Sequence, residues 1–322
     1  MAQVRLTDEP GWVRGVQRIQ RSNMVIANHG ILASALVIAG IPILLALDSL
    51  MGLVYRTNAN ANVQVIFPRS DTVLRAIVVF PGHGALGSSL GRALAPFVAE
   101  GDAIVVVNYA ERGVSEQHIN NLVMLALGTI KPANLLVYGA SMGGMLSKLF
   151  LDHYRKAGAP YGKVKLVLDS APASRDNVKV PAVLLDLCSW YRGGPLTSAG
   201  WAAVSLLLPK APIEKGADLE NVRESQHAMA WVGMPAATSQ GYFIARFRPL
   251  KVGELVDIVQ TASYLQGTSP EDDPLVRIPD AITGWRVAFP SLRVITVEGR
   301  DGPWHMPVIA NPCRTVQAMI AT

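Results

Sequence analysis

Residues 135–146 read LLVYGASMGGML, and this stretch decides the fold. An apolar run typical of a buried strand opens it, and apolar residues at helical spacing close it. Between them stands the pattern G-x-S-x-G, in which Gly139 and Gly143 flank Ser141. This strand–turn–helix context predicts a sharp turn that lifts the hydroxyl of Ser141 above the edge of a sheet. The glycines are expected because a Cβ at either position would clash with the backbone that crosses there.

Short β-branched runs recur on both sides of this stretch, and segments with helical spacing separate several of them. The runs that predict strands are Val63–Phe67, Ala76–Phe80, Ala103–Val107, Leu135–Tyr138, Val164–Leu168, Ala262–Gly267 and Leu292–Gly299. Residues 90–101 and 117–127 predict two of the helices between them. This alternation predicts an α/β fold, with a mostly parallel central sheet and helices on both faces.

One long segment, from about residue 170 to residue 259, interrupts the alternation. It lacks a convincing pair of core strands and carries several large aromatic residues, including Trp190, Trp201 and Tyr242. We expect a helical insertion, since its apolar residues need a surface to pack against. Long insertions in compact domains are often functional, so a lid over a substrate pocket is a second interpretation, compatible with the first.

The amino-terminal part has a different character. Four arginines precede residue 22, and no charged residue occurs from there to Leu47. Residues 30–47, GILASALVIAGIPILLAL, are numerous enough for a helix that crosses most of a hydrocarbon core. The sequence therefore predicts an amino-terminal segment over 1–25, a membrane anchor helix and the start of a linker over 26–55, and one α/β domain over 62–322.

The charge around this segment predicts its orientation. The four arginines lie before the apolar run, whereas only Arg56 and Arg69 follow it at short range. Positive charge favours the cytoplasmic side, so we expect a single-pass protein with a cytoplasmic amino terminus and an extracytoplasmic domain. The alternative is secretion after cleavage of a signal peptide, although the nearest small-x-small site, Ala59-Asn60-Ala61, lies well beyond the run.

Composition excludes several classes of protein. The formal net charge is +5, and the 29 lysines and arginines are scattered, so we expect no nucleic-acid partner. Cys188 and Cys313 are too few for a disulfide framework and lack the spacing of metal ligands. No phosphate-binding loop or dinucleotide fingerprint stands in context, so we expect no cofactor and no metal.

The elbow and its surroundings resemble the α/β-hydrolase superfamily, and the likeness extends from Val63 to the carboxy terminus. Residues 80–84, FPGHG, follow the first continuous apolar strand, where that family carries its oxyanion loop. Residues 108–115, NYAERGVS, are similar to a degraded form of the family's D-x-x-G-x-G-x-S loop. The resemblance implies a serine esterase or lipase with a catalytic triad in the chain order serine, acid, histidine.

The resemblance also implies where the other two members of the triad lie. His305 stands in a strand-end loop before the last predicted helix, which is the family's position for the general base. The family's acid lies after the preceding strand, commonly before a Pro-x-Val run, and Asp273 fits this pattern with Asp272 as the runner-up. Asp169, at the end of an earlier strand, and Asp301, beside the histidine, remain open alternatives.

An oxyanion hole completes the implied site. The backbone N–H of Met142 is expected as one donor, and the second is expected from the loop of His83, Gly84 and Ala85, with Ala85 favoured. The chain is therefore predicted to be a membrane-anchored serine hydrolase that cleaves a hydrophobic or lipid-like acyl ester. An acyltransferase using the same triad and a non-catalytic binding protein on the same scaffold are the alternatives.

Overall fold

A computed structural model of the protein describes residues 40–51, 61–66, 72–109, 114–188, 191, 193–207, 210–230, 234–253, 255–300, 302 and 304–321. The chain divides into two compact units, Met1–Asp48 and Ser49–Thr322. Unless stated otherwise, the elements below belong to the second unit.

A mostly parallel sheet forms the centre of this unit. Its described strands are β1 (Asn62–Ile66), β2 (Arg75–Phe80), β3 (Asp102–Asn108), β4 (Asn134–Ala140), β5 (Val164–Asp169), β6 (Val259–Gln266) and β7 (Arg293–Thr296). Their spatial order is β1-β3-β2-β4-β5-β6-β7. Only the edge pairing of β1 with β3 is antiparallel in this sheet, and each of the other pairings is parallel. The predicted α/β fold is confirmed.

The strand predicted over Leu292–Gly299 is too long at both ends. β7 begins at Arg293 and ends at Thr296. The chain then turns, because the N–H of Arg300 bonds back to the carbonyl of Val297 and Gly299 adopts a φ of 74°. Apolar periodicity carried no information about this turn.

Helices cover both faces of the sheet. They are α2 (Gly87–Leu94), α3 (Glu116–Ile130), α4 (Met142–Lys156), α5 (Ala182–Leu187), α6 (Pro195–Leu207), α7 (Leu219–Ala230), α8 (Met234–Arg246), α9 (Ile278–Ala288) and α10 (Pro312–Ile320). Alternate residues of a strand point to opposite faces. In β2, Val78 therefore packs into a core shared with α3, α4 and α9, whereas Val79 packs into a second core shared with α2 and α10.

The long segment between β5 and β6 contains α5, α6, α7 and α8. Leu185 of α5, Phe243 of α8 and Phe247, which directly follows α8, are buried in the core on the α4 side of the sheet. Hydrophobic burial of these side chains therefore fixes the insertion to the sheet domain. Its function as a lid stays a prediction.

The described part of the amino-terminal region is one helix, α1, over residues 40–51. Several of its apolar side chains are exposed, among them Ile43 and Leu44. Within the residues that the structure describes, none of the helices combines the length and apolarity needed to span a bilayer. The predicted segment 1–25, positions 30–39 of the predicted span and most of the linker lie outside the described residues.

Candidate active site

The predicted site residues all follow strands that run in the same direction. Ser141 follows β4 directly, Asp273 lies in the connection after β6, and His305 lies in the loop after β7. Because β4, β5, β6 and β7 are consecutive and parallel, their carboxyl ends share one edge of the sheet. Ligand sites of open α/β sheets lie at this edge.

Ser141 occupies a strained turn between β4 and α4. Its φ of 50° and ψ of −123° lie in a region that costs a residue with a side chain about 1–3 kcal/mol. The N–H of Ser141 donates to the carbonyl of Asp169 at 2.8 Å, which fixes the turn to the end of β5. Since α4 begins at Met142, the positive end of the helix dipole lies next to the serine.

Glycines make this turn possible. A Cβ added to Gly139 would overlap the hydroxyl of Ser147, and one added to Gly143 would overlap the carbonyl oxygen of Phe80. The predicted need for glycine at both positions is confirmed. Gly144 is a third such position, because its Cβ would collide with that of Ala171.

The structure brings Asp273 and His305 together. Nδ1 of His305 lies 2.8 Å from Oδ2 and 3.0 Å from Oδ1 of Asp273, and both side chains are at least nine-tenths buried. Oδ1 of Asp273 also accepts the backbone N–H groups of Leu275 and Val276, at 2.9 and 2.8 Å. These bonds hold the carboxylate in one orientation, facing the imidazole.

The other candidate acids are placed differently. Asp272 ends a short 3-10 helix and is exposed. Asp169 is fully buried, but its carboxylate bonds to Arg300 and to the hydroxyl of Tyr138. Asp301 lies outside the described residues. Of the described carboxylates considered, Asp273 is the one in contact with the histidine.

The second nitrogen of His305 is available to accept a proton. A neutral imidazole that donates through Nδ1 to a carboxylate carries its lone pair on Nε2. Nε2 of His305 is buried and has no hydrogen-bond partner in the described part of the chain. A buried, unpartnered acceptor is costly in a core, and such groups recur where a protein does chemistry.

Gly82 connects the histidine loop to the elbow. A Cβ at Gly82 would lie 3.1 Å from Cβ of Ser141 and 2.9 Å from Cε of Met306. The residue after His305 and the serine therefore both lie close to Gly82, where a Cβ would require a small shift of its neighbours. Met306 itself has a φ of 38°, so the chain turns sharply beside the histidine.

The prediction of Ala85 as the second oxyanion donor is wrong. Its N–H closes a tight turn onto the carbonyl of Gly82 at 3.1 Å, and the N–H of Gly84 donates to Oε1 of Gln240 at 2.7 Å. In the part of the chain that the structure describes, the backbone N–H groups of Met142 and His83 donate to no protein acceptor. Both of these N–H groups are therefore open to an oxyanion, and the N–H of Met142 directly follows Ser141 in the chain.

Contacts from distant elements hold this loop, and sequence reasoning missed them. Gln240 belongs to α8, and Nε2 of His83 donates to the carbonyl of Ala237 in the same helix at 2.9 Å. From the other side, the hydroxyl of Tyr109 donates to the carbonyl of Pro81 at 2.8 Å. The sequence shows only a glutamine at position 240, and its burial, which calls for a polar partner, is evident from the structure alone. Residues 110–113 of the predicted NYAERGVS loop lie outside the described residues.

Many solved structures are similar in fold to this protein. An esterase from Exiguobacterium antarcticum has a TM-score of 0.53 at 14% identity, over 81% of this chain and 94% of its own. MenH from S. aureus has a TM-score of 0.54 at 12% identity, over 81% and 97%. An enol-lactonase from Burkholderia xenovorans has a TM-score of 0.53 at 16% identity, over 81% and 96%.

No protein-family model matches the chain, and no curated protein matches it in sequence. At identities this low, likeness in structure shows the fold alone. Together with the parallel sheet and the strand–turn–helix elbow, it shows that this chain has an α/β-hydrolase fold.

Proposed function

We propose that this protein is a serine hydrolase that cleaves carboxylic esters through an acyl-enzyme on Ser141. The observation that carries the proposal is the hydrogen bond from Nδ1 of His305 to Asp273, which leaves Nε2 buried and unpartnered. The esterase and the enol-lactonase with the same fold support ester chemistry at such a site.

The first half of the reaction follows from the roles of these groups. Nε2 of His305 takes the hydroxyl proton of Ser141 as the oxygen attacks the acyl carbonyl, and Asp273 holds the imidazole tautomer and stabilises the imidazolium. The carbonyl oxygen becomes an oxyanion that accepts hydrogen bonds from the backbone N–H groups of Met142 and His83. One such donor is worth about 3–4 kcal/mol in the transition state.

The alcohol is released first, which completes the acyl-enzyme, and water then releases the acyl group. The tetrahedral intermediate collapses, the C–O bond to the alcohol breaks, and the alcohol leaves with the proton from His305. Water then gives its proton to Nε2 and attacks the acyl-enzyme, and the acid departs as Ser141 regains its proton. The serine and the imidazole are restored after each turnover.

The substrate we propose is an ester with a hydrophobic acyl group. Gln240 and Ala237 of α8 contact the loop of His83 and Gly84, so the helical insertion borders the proposed oxyanion hole. The same helix buries Phe243 and Ile244 in the core, so the segment that borders the proposed oxyanion hole is partly apolar, and apolar surroundings suit an acyl chain.

A chain-length series of p-nitrophenyl esters tests the proposal. We expect turnover of the full-length protein in detergent to rise from the acetyl through the butyryl to the octanoyl ester, because each added methylene contributes about 0.8 kcal/mol when buried. The measurement is p-nitrophenol release, with Ser141→Ala protein as the blank. Release at the rate of the blank for every ester would contradict the proposed function.

We further propose that the amino-terminal region anchors the protein in a membrane. The uncharged run of residues 30–47 and the exposed apolar side chains of α1 support this proposal. We expect the full chain to stay with the membrane fraction at alkaline pH, and protease added outside intact cells or spheroplasts to reach the hydrolase domain. Release into the soluble fraction at alkaline pH would contradict anchoring, and protection from external protease would contradict the extracytoplasmic orientation.

A further inference from the structure

Arg300 and Asp169 form a fully buried ion pair next to the proposed site. Nη1 of Arg300 lies 2.8 Å from Oδ1 of Asp169, and Nη2 lies 3.0 Å from Oδ2, in a bidentate arrangement. The exposed fractions of the two side chains are 1% and 0%. The free energy lost when two charges leave water is comparable to the free energy gained from their attraction. A buried ion pair is therefore weak evidence of stabilisation. Its placement indicates a different role.

The aspartate of this pair belongs to the serine elbow. Asp169 is the last residue of β5, and its backbone carbonyl accepts the N–H of Ser141. Its carboxylate also accepts the hydroxyl of Tyr138 from β4, at 2.6 Å. The carboxylate that binds Arg300 therefore belongs to β5, which accepts the serine N–H, and is also bonded to β4, which the serine follows directly.

The arginine belongs to the histidine loop and contacts the acid loop. Arg300 lies between β7 and His305, and its carbonyl oxygen accepts the hydroxyl of Thr268 at 3.4 Å. Thr268 lies between β6 and Asp273, and Gly267 beside it has no room for a Cβ, which would lie 2.9 Å from that oxygen. Nη2 of Arg300 also donates to Thr315 of α10 at 2.5 Å.

The protonation states favour a permanent pair. Burial alone would lower the pKa of Arg300, but Asp169 and Tyr138 together hold it above its ordinary value. Burial and the adjacent Asp169 raise the pKa of Tyr138 well above its usual range, so its hydroxyl stays a donor. Arg300 therefore stays charged and Tyr138 stays neutral at neutral pH.

We propose that Arg300 is a positioning residue that sets the approach of His305 to Ser141 by tying the histidine loop to the elbow through Asp169 and to the acid loop through Thr268. This inference rests on the proposed function. A buried, bidentate guanidinium suits the task because its fork fixes direction as well as distance. Proton transfer needs this precision, since a misplacement of about 1 Å can cost about 100-fold in rate.

The test replaces the charged pair without leaving a single buried charge. In Arg300→Met/Asp169→Asn both charges are lost, while the asparagine oxygen still accepts the hydroxyl of Tyr138. We expect kcat for p-nitrophenyl ester hydrolysis to fall about 100-fold, with KM unchanged within about twofold. Arg300→Lys keeps the positive charge but lacks the bidentate geometry of the guanidinium. We expect its kcat to lie between those of the wild type and the double variant.

A similar ion pair at the amino ends of the strands, opposite the proposed site, is the control. Arg75 and Asp102 are the first residues of β2 and β3 and form the corresponding bidentate contact, with Nε to Oδ1 at 2.9 Å. Arg75→Met/Asp102→Asn is expected to alter the melting temperature but to keep kcat. Equal kcat in the two double variants would overturn the positioning role. If the Arg300→Met/Asp169→Asn protein fails to fold, full activity of the Arg300→Lys protein would overturn it instead. A wild-type protein without Ser141-dependent turnover would instead overturn the proposed function, and this inference with it.

Discussion

Replacing Ser141 with alanine is expected to lower kcat for p-nitrophenyl ester hydrolysis by about 10⁶-fold, to the background of the assay. The reason is that no acyl-enzyme can form without the hydroxyl, so neither His305 nor the open N–H groups have a reaction to assist. The measurement is initial rate at saturating ester, with the melting temperature and circular dichroism of the variant recorded beside it.

A serine close to the same loop provides the control for this variant. Ser88 lies in α2, where its backbone N–H donates to Oδ1 of Asn108, a bond that alanine retains. Ser88→Ala is therefore expected to keep kcat within about twofold of the wild type. If Ser141→Ala protein folded normally and still turned over at a rate comparable to that of Ser88→Ala, the nucleophile would lie elsewhere.

Replacing Asp273 with asparagine is expected to lower kcat by about 10⁴-fold, as loss of the acid does in a serine triad. Oδ1 of Asp273 accepts two backbone N–H groups, so the asparagine oxygen will keep that place and its amide nitrogen will face His305. Nδ1 must then accept a hydrogen bond and Nε2 must carry the proton. The imidazole is left in the tautomer that cannot take a proton from Ser141.

The neighbouring residue, Asp272, provides the control for this prediction. Asp272→Asn removes the same charge one residue away, from an exposed side chain, and is expected to change kcat by no more than about twofold. The two variants are compared by kcat across the pH range in which a histidine titrates. Similar losses in both, or a larger loss in Asp272→Asn, would contradict the assignment of Asp273 as the triad acid.

The fold was readable from the sequence because its signals are local. The central strands β2, β3, β4 and β5 are mostly apolar runs buried on both faces. The elbow needs glycine at Gly139 and Gly143 because a Cβ there would overlap neighbouring atoms. The mostly parallel sheet follows from the alternation of such runs with helices. Only the ends of elements such as β7 were misplaced, because a turn after a strand leaves no periodic mark.

The choice between acids was not readable from the sequence in the same way. Asp272 and Asp273 are adjacent and carry the same charge, and a family pattern alone favoured the second. In the structure they differ because the turn at Leu275 and Val276 draws in one carboxylate and leaves the other exposed.

The oxyanion loop shows a different limit. Ala85 was favoured by its place in the chain, but a single turn bond to Gly82 occupies its N–H. The contacts that hold the loop, from Gln240 and Tyr109, join residues that are far apart in sequence. The pair of Asp169 and Arg300 likewise joins two loops that no local pattern connects. Side-chain partners over such separations come from the tertiary fold.

Mass spectrometry of the full-length protein after reaction with a fluorophosphonate tests the central claim most directly. The reagent phosphonylates a serine that a neighbouring base has activated, with fluoride as the leaving group, so it reports the nucleophile without a choice of substrate. We expect one adduct per chain, on the peptide that contains Ser141, and a much slower reaction of His305→Ala protein. Folded protein that gains no adduct, or carries it on another residue, would contradict the account.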